Sequence, residues 1–575
     1  MTRNSATLGD QVFDVLVVGG GASGAACARE AALRGLSTAL IERDDFGGGA
    51  SAHCFKVVHG GIRYLQHADL SRLRASCRER AAFLRIAPHL VAPLSFAVPT
   101  FGQGRGSKWF MGAGMMLYDA LTADLNRALP DQSRRVARTR FLGRDETLQR
   151  FPSLEAQDLT GAAVFQDAQM YNPPRLVLAL AQAAAASGAV IANYTQASRF
   201  LVEGNRVVGV LAEDRLDGGE FPIRARMVIN AAGPWAEGVL GATPATQTAS
   251  LGAFSRDTCF LVDRTLGTGD MAVAVPGRTR DADALLARSA RHMFLVPWRG
   301  STLVGVWHGV VPTQPDTVDF PRSQLRAYLD EINECYPGLE LLERDVRIAG
   351  FGLVPFGDPG KQGTASLSFG KESRFIDHRH QDGLQGLVTC VSVRYTVARM
   401  DGVAALDLAG QQMQIAPSPV ASLTAAVPGG NIDDFAGFLA SVQRSRPNWL
   451  PAAAVEPLVR NHGTRARAII EMASLRPELA ACVPGTLTTL AEIVHCVENE
   501  QAVRLGDILF RRTDLATDGR PGDEALDRVE QLMATALGWS TARRLEERAA
   551  AEAHMTRYLA SPKASAPAQV SAQHA

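Results

Sequence analysis

Residues 13–42 read FDVLVVGGGASGAACAREAALRGLSTALIE and decide the fold of the chain. An apolar strand meets glycines in the spacing G-x-G-x-x-G at Gly19, Gly21 and Gly24, an alanine-rich helix follows, and a second short strand ends in Glu42. In this arrangement the first glycine permits a tight turn, the second lets a pyrophosphate approach the helix N-terminus, and the third lets the helix pack closely on the strand. Glu42 can accept hydrogen bonds from ribose hydroxyls. The spacing predicts a dinucleotide site rather than a glycine-rich loop.

The rest of the sequence indicates which nucleotide is bound. We find no second strand-flanked G-x-G-x-x-G that could hold a nicotinamide coenzyme. One buried FAD, without a metal site, is therefore the simplest prediction. Electrons would leave the flavin to a quinone, another electron carrier or oxygen.

The composition is that of an ordinary globular enzyme. The chain has 575 residues, of which 46% are hydrophobic and 21% charged, enough for roughly two to four domains. Lys plus Arg and Asp plus Glu number 59 each, so no overall charge favours nucleic acid. The eight cysteines are scattered without C-x-x-C pairs, as is typical of reduced thiols in a cytoplasmic protein. We identify neither a secretory signal nor a membrane-spanning stretch, and expect a cytoplasmic location.

A second informative stretch, residues 46–67, reads FGGGASAHCFKVVHGGIRYLQH. It resembles a segment of the FAD-dependent glycerol-3-phosphate dehydrogenase/oxidase family, in which a serine-rich loop and a lysine precede H-G-G-L-R-Y-L. The residues at matching positions are Ser51, Lys56, His59, Gly60, Gly61, Ile62, Arg63, Tyr64 and Leu65. Most of the family's serines are replaced, by Ala52, His53, Cys54 and Phe55, which marks a divergent member.

The residue types in this stretch suit an active-site wall. Paired glycines let backbone lie against a flat ring, and a histidine and an arginine four residues apart offer a proton acceptor and a fixed cation. From spacing alone, a surface loop with an incidental His and Arg is the alternative. The resemblance favours His59 as catalytic base and Arg63 as a substrate-binding cation. It also implies cofactor contacts at Ser51, Lys56 and Gly60.

Two later segments resemble the turns by which the family's chain returns to the flavin. The strand RARMVIN runs into AAGPW, which matches the family's N-A-T/A-G-P-W and implies cofactor contacts at Gly233 and Trp235. The segment SVRYTVAR matches the family's G-G-K-x-T-T-Y-R and implies contacts at Tyr395 and Thr396. Arg394 replaces the family's lysine and keeps its charge, so we predict a catalytic role. A satisfied surface arginine is the alternative.

The expected substrate pocket departs from the family in three places. Ser255, Arg256, Asp257 and Thr258 stand where the family has K-G-S-H, Val306, Trp307 and His308 stand where it has T-T-D, and Val354 replaces an arginine that holds the substrate phosphate. His308 is either a second catalytic base or a packing residue. Arg63, Arg394 and Arg374 could still donate to a phosphate. We therefore expect glycerol-3-phosphate to be a poorer substrate than a related alcohol with a different or bulkier group.

The pattern of elements predicts three folded parts. They are an α/β FAD-binding domain of Rossmann-type, glutathione-reductase-like class, a mixed or antiparallel β-sheet substrate domain, and a C-terminal all-helical domain. The predicted bounds are 11–95, 160–250 and 346–412 for the FAD-binding domain, 96–159 and 251–345 for the substrate domain, 430–560 for the helical domain, and 561–575 for a disordered tail. The helical part resembles the family's C-terminal domain, including Asp507 and the run Arg511-Arg512-Thr513.

Two segments carry expectations about surfaces. Residues 70–90 alternate arginine with apolar residues at helical spacing and predict an amphipathic helix with a solvated charged face. Residues 108–122, KWFMGAGMMLYDALT, fit either a membrane surface or core packing. Peripheral contact with the inner face of the cell membrane, as the family implies, and a homodimer are left open.

The leading functional hypothesis is oxidation of a secondary alcohol. A hydride passes from the carbinol carbon to flavin N5 while a base removes the hydroxyl proton, converting glycerol-3-phosphate or a related polyol to the ketone. One alternative is the same flavin machinery acting on a hydroxy acid or an amine. The other is a non-catalytic, FAD-containing scaffold.

Overall fold

The structure of the chain is a computed structural model that contains two β-sheets and a group of C-terminal helices. It describes residues 3, 6–102, 108–246, 253–265, 269–280, 290–311, 315–318, 320, 322–356, 373–416 and 418–558. The tail predicted to be disordered, 561–575, lies outside the described residues.

The strands and helices of the described residues are numbered in chain order. The strands are β1 Val12–Val18, β2 Thr38–Ile41, β3 Val57–Val58, β4 Val91–Phe101, β5 Arg140–Gly143, β6 Leu159–Met170, β7 Val190–Ala192, β8 Thr195–Glu203, β9 Arg206–Asp214, β10 Glu220–Asn230, β11 Ala253–Val262, β12 Met271–Arg280, β13 Ala290–Trp298, β14 Ser301–Val311, β15 Val346–Phe356, β16 Arg374–Asp377 and β17 Leu387–Val391. The α-helices are α1 Ala6–Gly9, α2 Ala22–Leu33, α3 Leu70–Ile86, α4 Lys108–Thr122, α5 Arg144–Arg150, α6 Pro173–Ala186, α7 Ala236–Gly241, α8 Arg322–Cys335, α9 His378–Gln381, α10 Ala398–Met413, α11 Phe435–Arg444, α12 Ala452–His462, α13 Ala466–Leu475, α14 Leu490–Asn499, α15 Leu505–Asp507, α16 Asp523–Leu537 and α17 Thr541–Arg557.

The first sheet has a parallel centre with the order β17-β10-β1-β2-β7. Strand β16 adds antiparallel to β17, and the hairpin β8–β9 joins antiparallel to β10. Helices α2, α6 and α10 pack on one face, where alanine side chains of α2 meet the buried Val15 and Val17 of β1. A parallel sheet covered by helices, with the chain's first strand at its centre, confirms the predicted Rossmann-type class.

Two glycines of the first turn are required by close contacts. Gly19 has φ +105°, and a Cβ at this position would lie 2.6 Å from the carbonyl oxygen of Ala231 at the end of β10. A Cβ at Gly24 would lie 1.9 Å from the carbonyl oxygen of Gly19. Any larger residue at either position would push α2 away from β1. The N-terminus of α2 is therefore held at the carboxyl end of the parallel strands, where such sheets bind nucleotides.

The second sheet is mostly antiparallel, in the order β15-β11-β14-β13-β12-β4-β6-β3, with β5 beside β6. Its bounds differ from the predicted ones, because β3, β15 and parts of β4 and β6 had been expected in the FAD-binding domain. Strands β4 and β6 pair along nearly their whole length, and β15 pairs with β11 from end to end. The difference arises because an apolar strand pattern shows that a strand exists but not which sheet it joins.

Helices α11 to α17 form the C-terminal part and enclose a core of their own, with Leu458, Leu509 and Met533 among its fully buried residues. This agrees with the predicted helical domain. All eight cysteines carry free thiols. Among the described residues, no helix is both long enough and apolar enough to cross a bilayer.

Candidate active site

A cavity of about 1550 Å3 lies between the two sheets and the C-terminal helices. Pockets for drug-sized ligands usually measure ~300–1000 Å3, so this cavity has room for a dinucleotide and a second molecule. Its wall contains most of the predicted site residues, namely Gly19, Gly21, Glu42, Ser51, His59, Gly233, Trp235, His308, Arg394, Tyr395 and Thr396. Residues from distant parts of the chain thus meet around one space.

The glycine turn and Glu42 form the nucleotide end of this wall. The Glu42 carboxylate accepts hydrogen bonds from the backbone N–H of Gly20 at 2.6 Å and of Asp44 at 2.9 Å. Burial raises the pKa of Glu42 to about 7 despite these bonds. A Cβ on Gly21 would lie 3.3 Å from Ser51 Oγ, which accepts a hydrogen bond from the N–H of Ala22 at 3.0 Å. The helix N-terminus and the Ser51 loop therefore leave a narrow, polar gap suited to a pyrophosphate.

Trp235 belongs to a contact between the two sheets. It follows Gly233, which has φ +56°, in the turn after β10. The indole Nε1 donates to Asp316 Oδ1 at 2.7 Å, and the Arg43 guanidinium lies 4.4 Å from the indole ring. Arg43 also donates to Asp316 at 2.9 Å. Asp316 and Arg43, which sequence reasoning missed, hold Trp235 at the cavity wall.

His59 and Arg394 come together in the wall although more than 300 residues separate them. The backbone N–H of His59 donates to Thr396 Oγ1 at 3.3 Å. Burial lowers the pKa of His59 to about 4, and the charges of Arg394 and Arg80 add to this effect. The imidazole is therefore neutral at physiological pH and able to accept a proton.

Arg394 is fixed by Tyr64 and retains a free donor. Its Nη1 donates to Tyr64 Oη at 2.5 Å, and its guanidinium lies 5.5 Å from the Tyr64 ring. Its buried Nε has no hydrogen-bond partner among the residues that the structure describes. A buried guanidinium N–H without a partner is costly, which fits a site that receives an acceptor atom from a ligand.

Two predicted cofactor contacts lie away from the cavity wall. Lys56 Nζ lies 4.8 Å from the Trp298 ring centre and lines a separate cavity of about 70 Å3. Gly60 packs against helices α3 and α4, where an added Cβ would lie 2.3 Å from Tyr118 Oη. Gly60 is required by packing and the Lys56 ammonium lies near an aromatic ring, so a cofactor contact at either residue stays a prediction. The side chain of Arg63 lies outside the described residues, and Arg374 lies on the edge strand β16, outside the cavity wall.

The residues that depart from the family divide between two faces of the second sheet. Asp257, Val306, His308 and Val354 line the cavity, whereas Thr258 and Trp307 do not. The indole of Trp307 stacks on Tyr328 at 4.6 Å and donates to Glu331 Oε2 at 2.9 Å. Thr258 is buried within the sheet. Alternation along β11 and β14 causes this division, so the expected change at the cavity wall falls on Asp257 rather than on Thr258.

The C-terminal helices also contribute to the wall, which the sequence pattern had not indicated. The contributing residues are Arg504, Arg511, Ala550, His554, Arg557 and Tyr558. The Tyr558 ring stacks on His53 at 4.0 Å between centres. Arg511 and Arg512 donate to the buried carboxylate of Asp45 at 2.5 and 2.6 Å. Against the opposing effect of burial, these two charges lower the pKa of Asp45. The helical part is thus anchored beside the nucleotide strand.

Comparisons with known proteins agree with this geometry. The sequence model of FAD dependent oxidoreductases matches residues 14–384, and that of the C-terminal domain of alpha-glycerophosphate oxidase matches residues 423–544. The glycerol-3-phosphate dehydrogenase of Synechocystis sp. is 30% identical over 94% of this chain and 95% of its own length. The mitochondrial glycerol-3-phosphate dehydrogenase of Mus musculus is 30% identical over 93% of this chain and 72% of its own length.

The chain belongs to the FAD-dependent glycerol-3-phosphate dehydrogenase family. Solved structures share the fold of this family member. The glycerol-3-phosphate dehydrogenase from Bacillus halodurans complexed with FAD aligns over 96% of both chains with a TM-score of 0.74 and 22% identity. The L-alpha-glycerophosphate oxidase from Mycoplasma pneumoniae with FAD bound covers 73% of this chain and 99% of its own, with a TM-score of 0.51 and 17% identity.

The residues of this glycerol-3-phosphate dehydrogenase family member fit FAD. Gly21 lacks a side chain where a Cβ would enter the gap beside Ser51, and Glu42 lies at the end of β2, where ribose hydroxyls are bound in such folds. The unpartnered Arg394 Nε and the cavity volume agree with a bound flavin and a substrate beside it. The enzyme is therefore an FAD-dependent oxidoreductase.

One group of described residues in the enzyme has metal-ligand chemistry. Ligand atoms of His462, His495 and Glu500 lie within 4.8 Å of one another. Arg175 donates to Glu500 at 2.5 Å and lies 3.1 Å from His462 Nδ1. A guanidinium between these groups disfavours a second cation, so we interpret the group as a buried ion-pair network between α6 and the C-terminal helices.

Proposed function

We propose that the enzyme oxidises the secondary hydroxyl of glycerol-3-phosphate, or of a related polyol phosphate, to a ketone. The observation that carries this proposal is the placement of neutral His59 and partly unpartnered Arg394 in the wall of one cavity with the nucleotide turn. Bound FAD supplies the hydride acceptor at N5 and passes the electrons to a quinone or another acceptor.

In this proposal His59 removes the substrate hydroxyl proton. A general base must be unprotonated at the working pH and must reach the hydroxyl. Burial and two arginine charges keep the imidazole neutral, and His59 lines the cavity. The bond between its own N–H and Thr396 ties the His59 backbone to the start of the turn before α10. His59 therefore follows β3 of the second sheet and is bonded to the turn that follows β17 of the first sheet.

Arg394 binds an anionic group of the substrate or steadies the oxyanion that develops during proton removal. The Tyr64 hydroxyl accepts a hydrogen bond from one N–H of the Arg394 guanidinium, and this bond fixes the plane of the guanidinium. A charge-assisted hydrogen bond to a phosphate or alkoxide contributes roughly 1.5–3 kcal/mol. Arg63, by the family motif, would be a second cation at this site. A lysine at position 394 could not form the same planar contact.

The far side of the pocket leads us to propose an altered substrate preference. Val354, an aliphatic residue, lines the cavity where the family has a phosphate-binding arginine, and the Asp257–His308 pair adds a carboxylate and an imidazole nearby in the same wall. His308 is held by Asp257, so a role as second base and a role in substrate contact both agree with its position. We expect glycerol-3-phosphate to be turned over more slowly than a related alcohol with a different or bulkier group.

Anaerobic mixing of the FAD-loaded enzyme with a panel of substrates tests this proposal. Glycerol-3-phosphate and related polyol phosphates should bleach the absorbance of the oxidised flavin. Bleaching by hydroxy acids or amines instead would favour the alternative substrate class. Absence of bleaching with every class, while FAD stays bound, would favour a non-catalytic scaffold.

We further propose a cytoplasmic enzyme that touches the inner face of the membrane through α4. Met116 and Leu117 on this helix are 66% and 48% exposed, while Met111 and Met115 line the cavity. Exposed apolar side chains on an amphipathic helix suit an interfacial position. Flotation with anionic lipid vesicles tests this: the wild type should float, and Met116→Ser combined with Leu117→Ser should not. The wild type remaining at the bottom would contradict it.

A further inference from the structure

We propose that a buried trio of Asp167, Arg80 and Tyr118 positions His59 through the peptide groups of Gly60. The inference rests on the proposed role of His59 as base and adds three positioning residues that do not line the cavity themselves. The trio joins three elements, since Asp167 is on β6, Arg80 on α3 and Tyr118 on α4.

Gly60, the residue after His59, is held at both of its backbone polar groups. Asp167 Oδ1 accepts a hydrogen bond from the Gly60 N–H at 2.6 Å. Cys77 Sγ donates to the Gly60 carbonyl oxygen at 3.2 Å. These two bonds fix the backbone that follows His59, and with it the position from which the imidazole extends.

Arg80 connects Asp167 to helix α4. Its Nη1 lies 2.5 Å from Asp167 Oδ1, 2.7 Å from Tyr118 Oη and 2.9 Å from the carbonyl oxygen of Gln166. Arg80 and Tyr118 are each only 2% exposed. A Cβ on Gly60 would lie 2.3 Å from Tyr118 Oη and 2.6 Å from Arg80 Nη1, so the loop is packed against the trio without spare room. A displacement of any member would move His59.

The trio also sets part of the charge around His59. Two charged residues act directly on the titration of His59, namely Arg80 on α3 and Arg394 before α10. Asp167 and Cys77 bond to the adjacent Gly60, Tyr118 contacts Arg80, and Tyr64 contacts Arg394. Besides burial, the charges of Arg394 and Arg80 lower the pKa of His59. Burial raises the pKa of Asp167, and the adjacent Arg80 opposes that rise. The Asp167 carboxylate partly compensates the Arg80 charge. Removing the charge of one or the other residue should therefore shift the pKa of His59 in opposite directions.

Two charge-removing variants test the inference in the FAD-loaded enzyme. Asp167→Asn leaves the Arg80 charge uncompensated, so the pKa of His59 should fall. Arg80→Gln removes the positive charge and leaves the carboxylate, so the pKa of His59 should rise. We expect shifts of about one unit in opposite directions. Titration of 15N-labelled histidines by NMR, with His59→Gln for assignment, measures the pKa without turnover.

Two further variants act as controls. Arg80→Lys keeps the charge but replaces the planar guanidinium with an ammonium on a shorter side chain, which should weaken the contacts to Asp167, Tyr118 and the Gln166 carbonyl. It should leave the pKa of His59 nearly unchanged while lowering kcat for flavin reduction at unchanged KM. Glu500→Gln breaks the buried pair with Arg175 in another part of the molecule and should not move the His59 titration.

The outcomes separate the inference from the proposed function. Shifts in the same direction, or no shift in either variant, would overturn the positioning role. If Arg80→Gln does not retain FAD, Asp167→Asn and Arg80→Lys still decide the matter. If His59→Gln leaves flavin reduction unchanged, His59 is not the base, and the NMR titration still shows whether the trio acts on it.

Discussion

His308 Nδ1 and Asp257 Oδ1 lie 2.6 Å apart across the neighbouring strands β14 and β11. Ser255 Oγ donates to the same carboxylate oxygen at 2.7 Å, which fixes the pair. Val354 on β15, the strand on the other side of β11, also lines the cavity. The distal wall therefore carries an imidazole, a carboxylate and an aliphatic side chain, a combination poorly suited to a phosphate dianion alone.

Val354→Arg should improve oxidation of glycerol-3-phosphate. We expect the unmodified enzyme to turn over this substrate poorly compared with a related alcohol bearing a different or bulkier group. A new guanidinium donor should raise kcat/KM for glycerol-3-phosphate about tenfold or more. Steady-state kinetics with an artificial electron acceptor measure the change, and Val354→Leu is the matched apolar control. Efficient, saturable oxidation of glycerol-3-phosphate by the unmodified enzyme would show that Arg394 and its neighbours already compensate.

Gly21→Leu should yield protein without FAD. A Cβ at this position already lies 3.3 Å from Ser51 Oγ, and a longer side chain would fill the gap that a pyrophosphate needs. Flavin absorbance per chain after purification measures the loss. Gly219→Ala is the control, because a Cβ there meets nothing within 4 Å. Full flavin occupancy in Gly21→Leu would refute the assignment of the nucleotide turn.

Flavin reduction should depend on pH through His59. The pKa of this imidazole is lowered to about 4, so the base is unprotonated at neutral pH and activity should fall only as the pH drops through about 4. His59→Ala and Arg63→Ala should abolish reduction by the true substrate. Stopped-flow absorbance from acid to neutral pH gives the profile. His380→Ala, a change at an exposed histidine, should leave the pH profile of flavin reduction unchanged. A fall in activity centred near pH 6.5, roughly the ordinary pKa of histidine, would contradict this prediction.

Asp45→Asn should weaken the attachment of the C-terminal helices. The substitution removes the carboxylate that Arg511 and Arg512 share and leaves Arg511 paired with Asp507 alone. Breaking a buried ion pair typically costs about 3–5 kcal/mol. Because the pKa of Asp45 is depressed in the folded enzyme, its contribution is present above the ordinary aspartate pKa and is lost as the pH falls through the lower, folded-state value. Thermal unfolding from pH 7 down to the folded-state pKa of Asp45, about 2, measures both effects. Asp124→Asn, at an exposed pair with Arg74, should unfold like the wild type.

Neither NADH nor NADPH should reduce the flavin at a useful rate. The sequence carries one dinucleotide turn, at Gly19 to Gly24, and the structure places it at the FAD end of the cavity. Anaerobic mixing with each nicotinamide, followed by absorbance, tests this, and dithionite serves as the positive control for a reducible flavin. Rapid bleaching by either nicotinamide would reveal a site that the sequence pattern does not show.

The sequence by itself determined the nucleotide-binding fold, and it predicted site residues that the structure finds in the wall of one cavity. The glycine spacing, Glu42, His59 and Arg394 lie in strand-turn-helix segments whose geometry depends on neighbours within a few residues. Such local patterns can be read without knowing the rest of the fold. The helical C-terminal part was predictable for the same reason, because periodicity is a local property.

Only the tertiary structure determined which residues pack behind the cavity wall and which side chains line it. The predicted charged face of α3 is exposed at Arg74 and Arg78. Glu79 and Arg80 on the same helix are buried, however, one against Arg399 and the other against Asp167. Likewise, strand pairing turns Asp257 toward the cavity and Thr258 away from it. A charged residue in a helix can lie in solvent or in a buried ion pair, and the choice depends on side chains hundreds of positions away. These contacts could not be predicted because long-range pairing leaves no periodic pattern in the sequence.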